Sequence, residues 1–221
     1  MTLPPRLLDG YRAFRAGRLP IEQDRYRELA EIGQKPEVMV IGCSDSRVSP
    51  EVVFDARPGE LFVVRNVANL VPPYTPDGGQ HGVSAALEFA VQALEVRHIV
   101  VLGHAGCGGV RAFAEAQAPL SPSDFIGQWM SLLEPVAAAL GPRNGMPLAD
   151  YLMRLEYASL KQVLESLKTF PYIRDRVAGG RLALHAAYFG VATGMLFVLD
   201  QASGEFHPLV TPPGARAHPA R

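Results

Sequence analysis

The stretch "VMVIGCSDSRVSP" (residues 38–50) changes character part-way through, and that change points to the fold. Val38 through Gly42 form an unbroken apolar run bounded by turn-forming residues, which suits a strand covered on both faces. Cys43, Ser44, Asp45, Ser46 and Arg47 then follow with no gap, so a thiol, a carboxylate and a guanidinium alternate where the strand should end. The same grammar returns in "HIVVLGHAGCGGV" (residues 98–110), an apolar run ending in His104 with Cys107 three residues on. Between them, "ELFVVRN" (60–66) reads as a strand after the turn "RPGE", and "GVSAALEFAVQAL" (82–94) repeats apolar residues at helical spacing. "GCGGVRAFAEAQA" opens a further helix. Strands and helices in alternation predict an α/β fold: a largely parallel sheet of about four to five strands flanked by helices, with an N-terminal helical arm.

Upstream, Leu7, Leu8, Tyr11 and Phe14 recur at helical spacing, and "PIEQDRYRELAEIG" is a second helix opened by Pro20 and closed by Gly33. Residues 1–33 therefore form the arm, lying either on its own subunit or on a partner. Residues 34–210 form the main α/β domain. Residues 119–150, with Pro119, Pro122, Pro135, Pro142 and Pro147, are less regular. "ADYLMRLEYASLKQVLESLKTF" is a long helix ending near Pro171, and "RLALHAAYFG" and "GMLFVLD" are two strands joined by "VATG". "QASGEF" turns beyond them, and residues 211–221, rich in Pro and Ala, form a flexible tail.

Composition narrows the functional classes. The 221 residues are 48% hydrophobic and 19% charged, with a formal net charge of −1, so nothing in bulk electrostatics favours nucleic acid or an anionic membrane. No apolar run is long enough to span a bilayer, and "MTLPPRLLDGYRAFRAGRLP" lacks a secretory h-region, which makes a cytoplasmic location the expectation. Two cysteines, Cys43 and Cys107, are the whole inventory, and in that setting they point to a metal or to catalysis.

In parallel sheets, ligands bind beyond the carboxyl ends of the strands. If the strands ending at Cys43 and His104 are neighbours, then Cys43, Asp45, His104 and Cys107 converge there. Two thiolates and an imidazole select zinc among common metals, and Asp45 completes four-coordination with oxygen. Cys107 at a helix start is favoured as thiolate by the helix dipole. Arg47 lies within bidentate range of Asp45 and competes with the metal for its carboxylate. When Asp45 turns to Arg47, a position opens for water, which ionises near neutral pH on a metal.

"CSDSRV", "PGELFVVRNVAN" and "HIVVLGHAGCGGV", in that order, resemble the β-class carbonic anhydrases, strongly from about Gln34 to Val110 and more loosely through "LALHAAYFGVATGMLFVLD". The resemblance implies zinc held by Cys43, His104 and Cys107, with Asp45 and Arg47 as a catalytic dyad. Asp45 is then either on the metal or hydrogen-bonded to Arg47, where it orients zinc-bound hydroxide for attack on carbon dioxide to give bicarbonate. The resemblance also implies a homodimer or a dimer-based tetramer, with an arm embracing the partner. Gln34 matches a substrate-binding glutamine of one branch, and Phe62 and Val67 match its apolar pocket. Phe89 stands where many members carry tyrosine, so a hydroxyl is lost while the apolar wall remains. Another branch, regulated by bicarbonate, has tryptophan shortly before the first cysteine; Val40 here aligns this chain with the open branch, and an Asp45–Arg47 pair at neutral pH is the expectation.

Two rivals remain. One keeps the site and hydrolyses carbonyl sulfide or carbon disulfide; the other is a non-catalytic zinc-binding or bicarbonate-sensing module. A cysteine-phosphatase loop fails on spacing, since it needs five residues between Cys and Arg and only three separate Cys43 from Arg47. His81 is read as a helix cap or a solvent-facing residue, with a proton-shuttle role as the alternative. Arg65 and Asn66 are read as organisers of loops or of a subunit interface, and Tyr188 as core.

Overall fold

Among the described residues, six strands share one sheet: β1 (Val38–Cys43), β2 (Leu61–Asn66), β3 (His98–His104), β4 (Ala183–Phe189), β5 (Leu196–Asp200) and β6 (Glu205–Pro208). Their order is β2-β1-β3-β4-β5-β6, with β1 to β4 parallel and β5 and β6 antiparallel. The computed structural model describes residues 3–116 and 125–209, so the expected flexible tail and both Pro119 and Pro122 lie outside the described residues. The sixth strand is the departure from the four or five expected. The turn after β5 is clasped by Asp200, which accepts from the backbone N–H groups of Ala202 and Ser203 and from the Ser203 hydroxyl. That turn returns only four residues, ending at Pro208, too few to show an alternating pattern.

The apolar strands owe their composition to burial on two faces. Met39, Ile41 and Cys43 of β1 and Ile99 and Val101 of β3 face the larger core, which is completed by helices α4 (Gly82–Glu88), α5 (Gly108–Ala114), α8 (Leu148–Lys168) and α9 (Pro171–Ala178). On α8, Leu152, Leu155, Ser159, Leu160, Val163 and Leu167 form the buried stripe. Each fully buried leucine there contributes roughly 1.5–3 kcal/mol of transfer free energy. Val40, Val48, Leu102 and Ala187 form a smaller cluster on the opposite face. Among the described residues, the short α3 (Pro50–Val53), Phe54 and Val191 lie over it, and Val38, Leu61, Val63, Val100, Phe189 and Leu196 stay partly exposed.

Over 125–150 the chain forms α6 (Phe125–Met130) and α7 (Glu134–Leu140), the latter opened by Pro135, while Pro147 precedes α8. The helix expected over 82–94 is α4 continued by a widened π-turn from Phe89 to Ala93. The arm is α1 (Pro5–Ala13) and α2 (Leu19–Ile32), joined through a similar turn at Phe14–Arg18, and no residue of these segments is buried. It meets the body at the β2 entry turn, where Leu29 packs on Gly59 and Arg25 donates to the Pro58 carbonyl at 3.2 Å. Among the described residues, no helix is long and apolar enough to cross a membrane.

Candidate metal centre

β1 and β3 are adjacent and parallel, so Cys43 and His104 emerge at the same carboxyl edge. The chain leaves β1 for β2 on one side and returns to β3 on the other, which makes this edge the switch point of the sheet. Gly106, at φ +65°, turns the chain sharply so that Cys107 faces back as the N-cap of α5. The two sulfurs stand 3.9 Å apart, and with a His104 ring nitrogen all three ligand atoms lie within 4.8 Å of one another. Two thiolates on a tetrahedral zinc, each about 2.3 Å from the ion, would be separated by about 3.8 Å.

The His104 ring supplies a second test of fit. Its Nδ1 lies 3.2 Å from the Ala105 carbonyl, which can only accept, so the proton sits on Nδ1 and the Nε2 lone pair is free. Nε2 is buried and has no hydrogen-bond partner among the described residues. An orphaned buried acceptor between two sulfurs is what a metal position looks like from the protein side.

Electrostatics agree. The Cys43 thiol is pulled well below its ordinary value by the hydrogen bond from Cys107 and, further, by His104 and nearby backbone N–H groups, against the effect of burial. The same contact, burial and the negative charge on Cys43 push Cys107 up. Sulfurs this close can both be anionic only beside a cation. Burial lowers the affinity of His104 for a proton, but the Cys43 sulfur and the Asp45 carboxylate outweigh it and raise it overall. The residues present therefore fit a divalent, thiophilic ion.

Asp45 and Arg47 face one another in a two-pronged pair. Arg47 donates from Nε to Oδ1 at 2.9 Å and from Nη2 to Oδ2 at 2.7 Å, and its backbone N–H adds a bond to Oδ1 at 3.0 Å. Arg47 holds the Asp45 carboxyl well below the usual carboxylate range. Its Nη2 also donates to the Gly106 carbonyl at 3.0 Å, bridging the loops after β1 and β3. Asp45 Oδ2 lies 3.8 Å from His104 Nε2, beside the cluster but outside the three-residue ligand set.

Two neighbouring devices hold this arrangement. Arg65, at the end of β2, donates to the carbonyls of Cys43, Asp45 and Val48 at 2.7–2.8 Å, as an organiser of the loop. Asn66 clasps Leu70, accepting from its N–H at 2.8 Å and donating to its carbonyl at 2.9 Å. The clasp encloses Ala68 and Asn69, both in the left-handed region at φ +61° and +49°. That costly conformation is held beside the metal edge by the Asn66 clasp. Trp129 steadies the same segment by donating to the Val67 carbonyl at 2.8 Å.

The sequence reading missed Glu156. This residue of α8 is buried, accepts from the Cys107 N–H at 2.9 Å and from the Tyr188 hydroxyl at 2.7 Å, and burial pushes its carboxyl up. The signal existed, because Leu152, Glu156, Ser159 and Val163 share one helical face and put an acid on an apolar stripe.

The expected substrate residues are not all assembled by one chain. Val67 lies against Gly109, next to Cys107. Phe62 and Phe89 pair with ring centroids 6.0 Å apart, and Phe89 is half exposed. Phe62 pairs in register with Met39, four strand steps or roughly 13 Å of backbone from the Cys43–Asn66 pair. Gln34 is exposed before β1, at the far end of that strand from Cys43.

A buried two-thiolate, one-imidazole cluster at the switch point of a parallel sheet places the chain among the α/β metalloproteins. The carbonic anhydrase family model matches residues 38–196. A carbonic anhydrase of Pseudomonas aeruginosa is 36% identical over 211 residues, covering 96% of this chain and 94% of the relative. The solved β-carbonic anhydrase CcaA superposes with a TM-score of 0.83 at 30% identity, over 92% of this chain and 98% of that one. A structure from a study of two tetrameric β-carbonic anhydrases of Sordaria macrospora gives a TM-score of 0.76 at 29% identity, over 88% and 95% of the chains. The chain belongs to the β-carbonic anhydrases, zinc enzymes that interconvert carbon dioxide and bicarbonate.

Proposed function

We propose that this chain catalyses CO2 + H2O ⇌ HCO3⁻ + H⁺ with zinc held by Cys43, His104 and Cys107, and with Asp45 kept off the metal by Arg47. Zinc at these residues supplies a Lewis acid that makes hydroxide available from water near neutral pH. The observation that carries the reading is the two-pronged Asp45–Arg47 pair beside the ligand cluster. Because Arg47 keeps Asp45 ionised, its carboxylate can only accept. It therefore takes a hydrogen bond from the nucleophilic water and turns the oxygen lone pair towards the carbon of carbon dioxide. Arg47, anchored also on Gly106, limits how far that carboxylate can swing.

The apolar wall for carbon dioxide is proposed to come from a second copy. Phe62, Phe89 and Gln34 lie too far from Cys43 to line its pocket within one chain, and Phe89 stays half exposed. The thinly covered sheet face and the wholly unburied arm support a homodimer or a dimer-based tetramer, and a solved relative is described as tetrameric.

Stopped-flow hydration of carbon dioxide, with zinc content measured on the same samples, tests the dyad. Asp45→Ala and Arg47→Ala should keep zinc and lose on the order of 10²-fold or more in kcat/KM. Zinc lost in step with activity in Asp45→Ala would make Asp45 chiefly a ligand and overturn the orienting role.

A further inference from the structure

We infer that Glu156 is a positioning residue of the metal centre: by accepting the Cys107 N–H, it sets the direction from which that sulfur meets the metal. The inference rests on the assignment of Cys43, His104 and Cys107 as zinc ligands. Cys107 is the N-cap of α5, and in a capping box the N-cap N–H is met by Glu or Gln at the third helical position. Here that position is Val110, which offers no acceptor. The acceptor arrives instead from α8, 49 residues along the chain, at 2.9 Å. Its other oxygen takes the Tyr188 hydroxyl at 2.7 Å, and Tyr188 stands in register with Gly103, next to His104. One carboxylate thus ties α8, β4 and the ligand-bearing turn together.

A purely structural role explains this poorly. Glu156 is only 5% exposed, and among the described residues no Lys or Arg pairs with it. Burying an unpaired carboxylate is costly, and packing alone would be served as well by an apolar side chain of similar volume. The carboxylate makes its bond to the backbone of a metal ligand, where a small rotation moves the sulfur. Partners of this kind typically alter metal affinity by 10- to 100-fold.

The test uses the zinc-loaded protein and three variants: Glu156→Ala, Glu156→Gln and Tyr188→Phe. Zinc affinity is read by chelator competition, and the cobalt-substituted forms are read by their thiolate-to-cobalt charge-transfer bands. Glu156→Ala should bind zinc about 10- to 100-fold more weakly and shift those bands. Glu156→Gln, whose amide oxygen still accepts from Cys107, should stay within about threefold of wild type with unchanged bands, and Tyr188→Phe should fall between. Wild-type affinity and spectrum in Glu156→Ala would overturn the inference, as would a tenfold or greater loss in Glu156→Gln, which carries the test if the alanine variant does not fold. Wild-type protein that takes up no zinc would instead remove the ligand assignment beneath it.

Discussion

His98 on β3 and His185 on β4 stand with ring nitrogens 3.1 Å apart on the thinly covered face, far from the metal edge. Burial, and then the charge of His98, hold His185 below its ordinary value of 6.5. The folded chain therefore binds this proton less tightly than the unfolded chain, and acid favours unfolding. Its contribution to stability is complete above pH 6.5 and is lost as the pH falls through the lower folded value. The melting temperature of the wild type should drop as the pH is lowered from 7.5 to 5.5, and His185→Gln should flatten that drop. An equal drop in both would mean that other groups carry the acid sensitivity. A pairing across two strands, between residues 87 apart, leaves no local trace in the sequence.

At the scale of elements, α5 enters its first turn against the clasped loop after β2. A Cβ added at Gly109 would sit 2.8 Å from Val67 Cγ1 and 3.5 Å from the Ala68 Cβ, whereas one at Gly108 would meet nothing within 4 Å. Because Asn66 pins the loop at both ends, it has little room to give way. Gly109→Ala should cost about 1–3 kcal/mol in denaturant unfolding, while Gly108→Ala should be neutral or slightly stabilising through helix propensity. What could be read from sequence divides along the same line. Cys43 and His104 were legible because each ends an apolar run, and in a parallel sheet a shared direction becomes a shared edge. Asp45 and Arg47 were legible because a two-residue separation fixes their reach. Glu156 was not singled out and Tyr188 was read only as core, since their link to Cys107 comes from docking α8 and β4 against α5. The strand β6 was missed for want of length.

At the scale of the whole molecule, apolar groups stay partly exposed on the face around Val100 and Phe189 and at the ring pair Phe62–Phe89. If a second copy covers them and lends its rings to the first copy's metal, two defective chains should repair each other. A Cys43→Ala chain mixed and reassembled with a Phe89→Ala chain should regain measurable carbon dioxide hydration, because one mixed site combines an intact cluster with intact rings. No recovery above the sum of the separate variants, in a mixture shown to contain mixed oligomers, would place the pocket within one chain. The spread of the centre along the chain has a temporal consequence as well. Its parts come from Cys43, Asn66, His104, Cys107, Glu156 and Tyr188, joined by parallel pairings that span most of the sequence. Such long closures are late events in folding. A ribosome that has delivered both cysteines and the histidine has still not delivered the α8 and β4 groups that brace them. Zinc can complete this enzyme but is poorly placed to guide its early folding, and if Glu156 positions Cys107 as inferred, high-fidelity loading has to wait until β4 has been made.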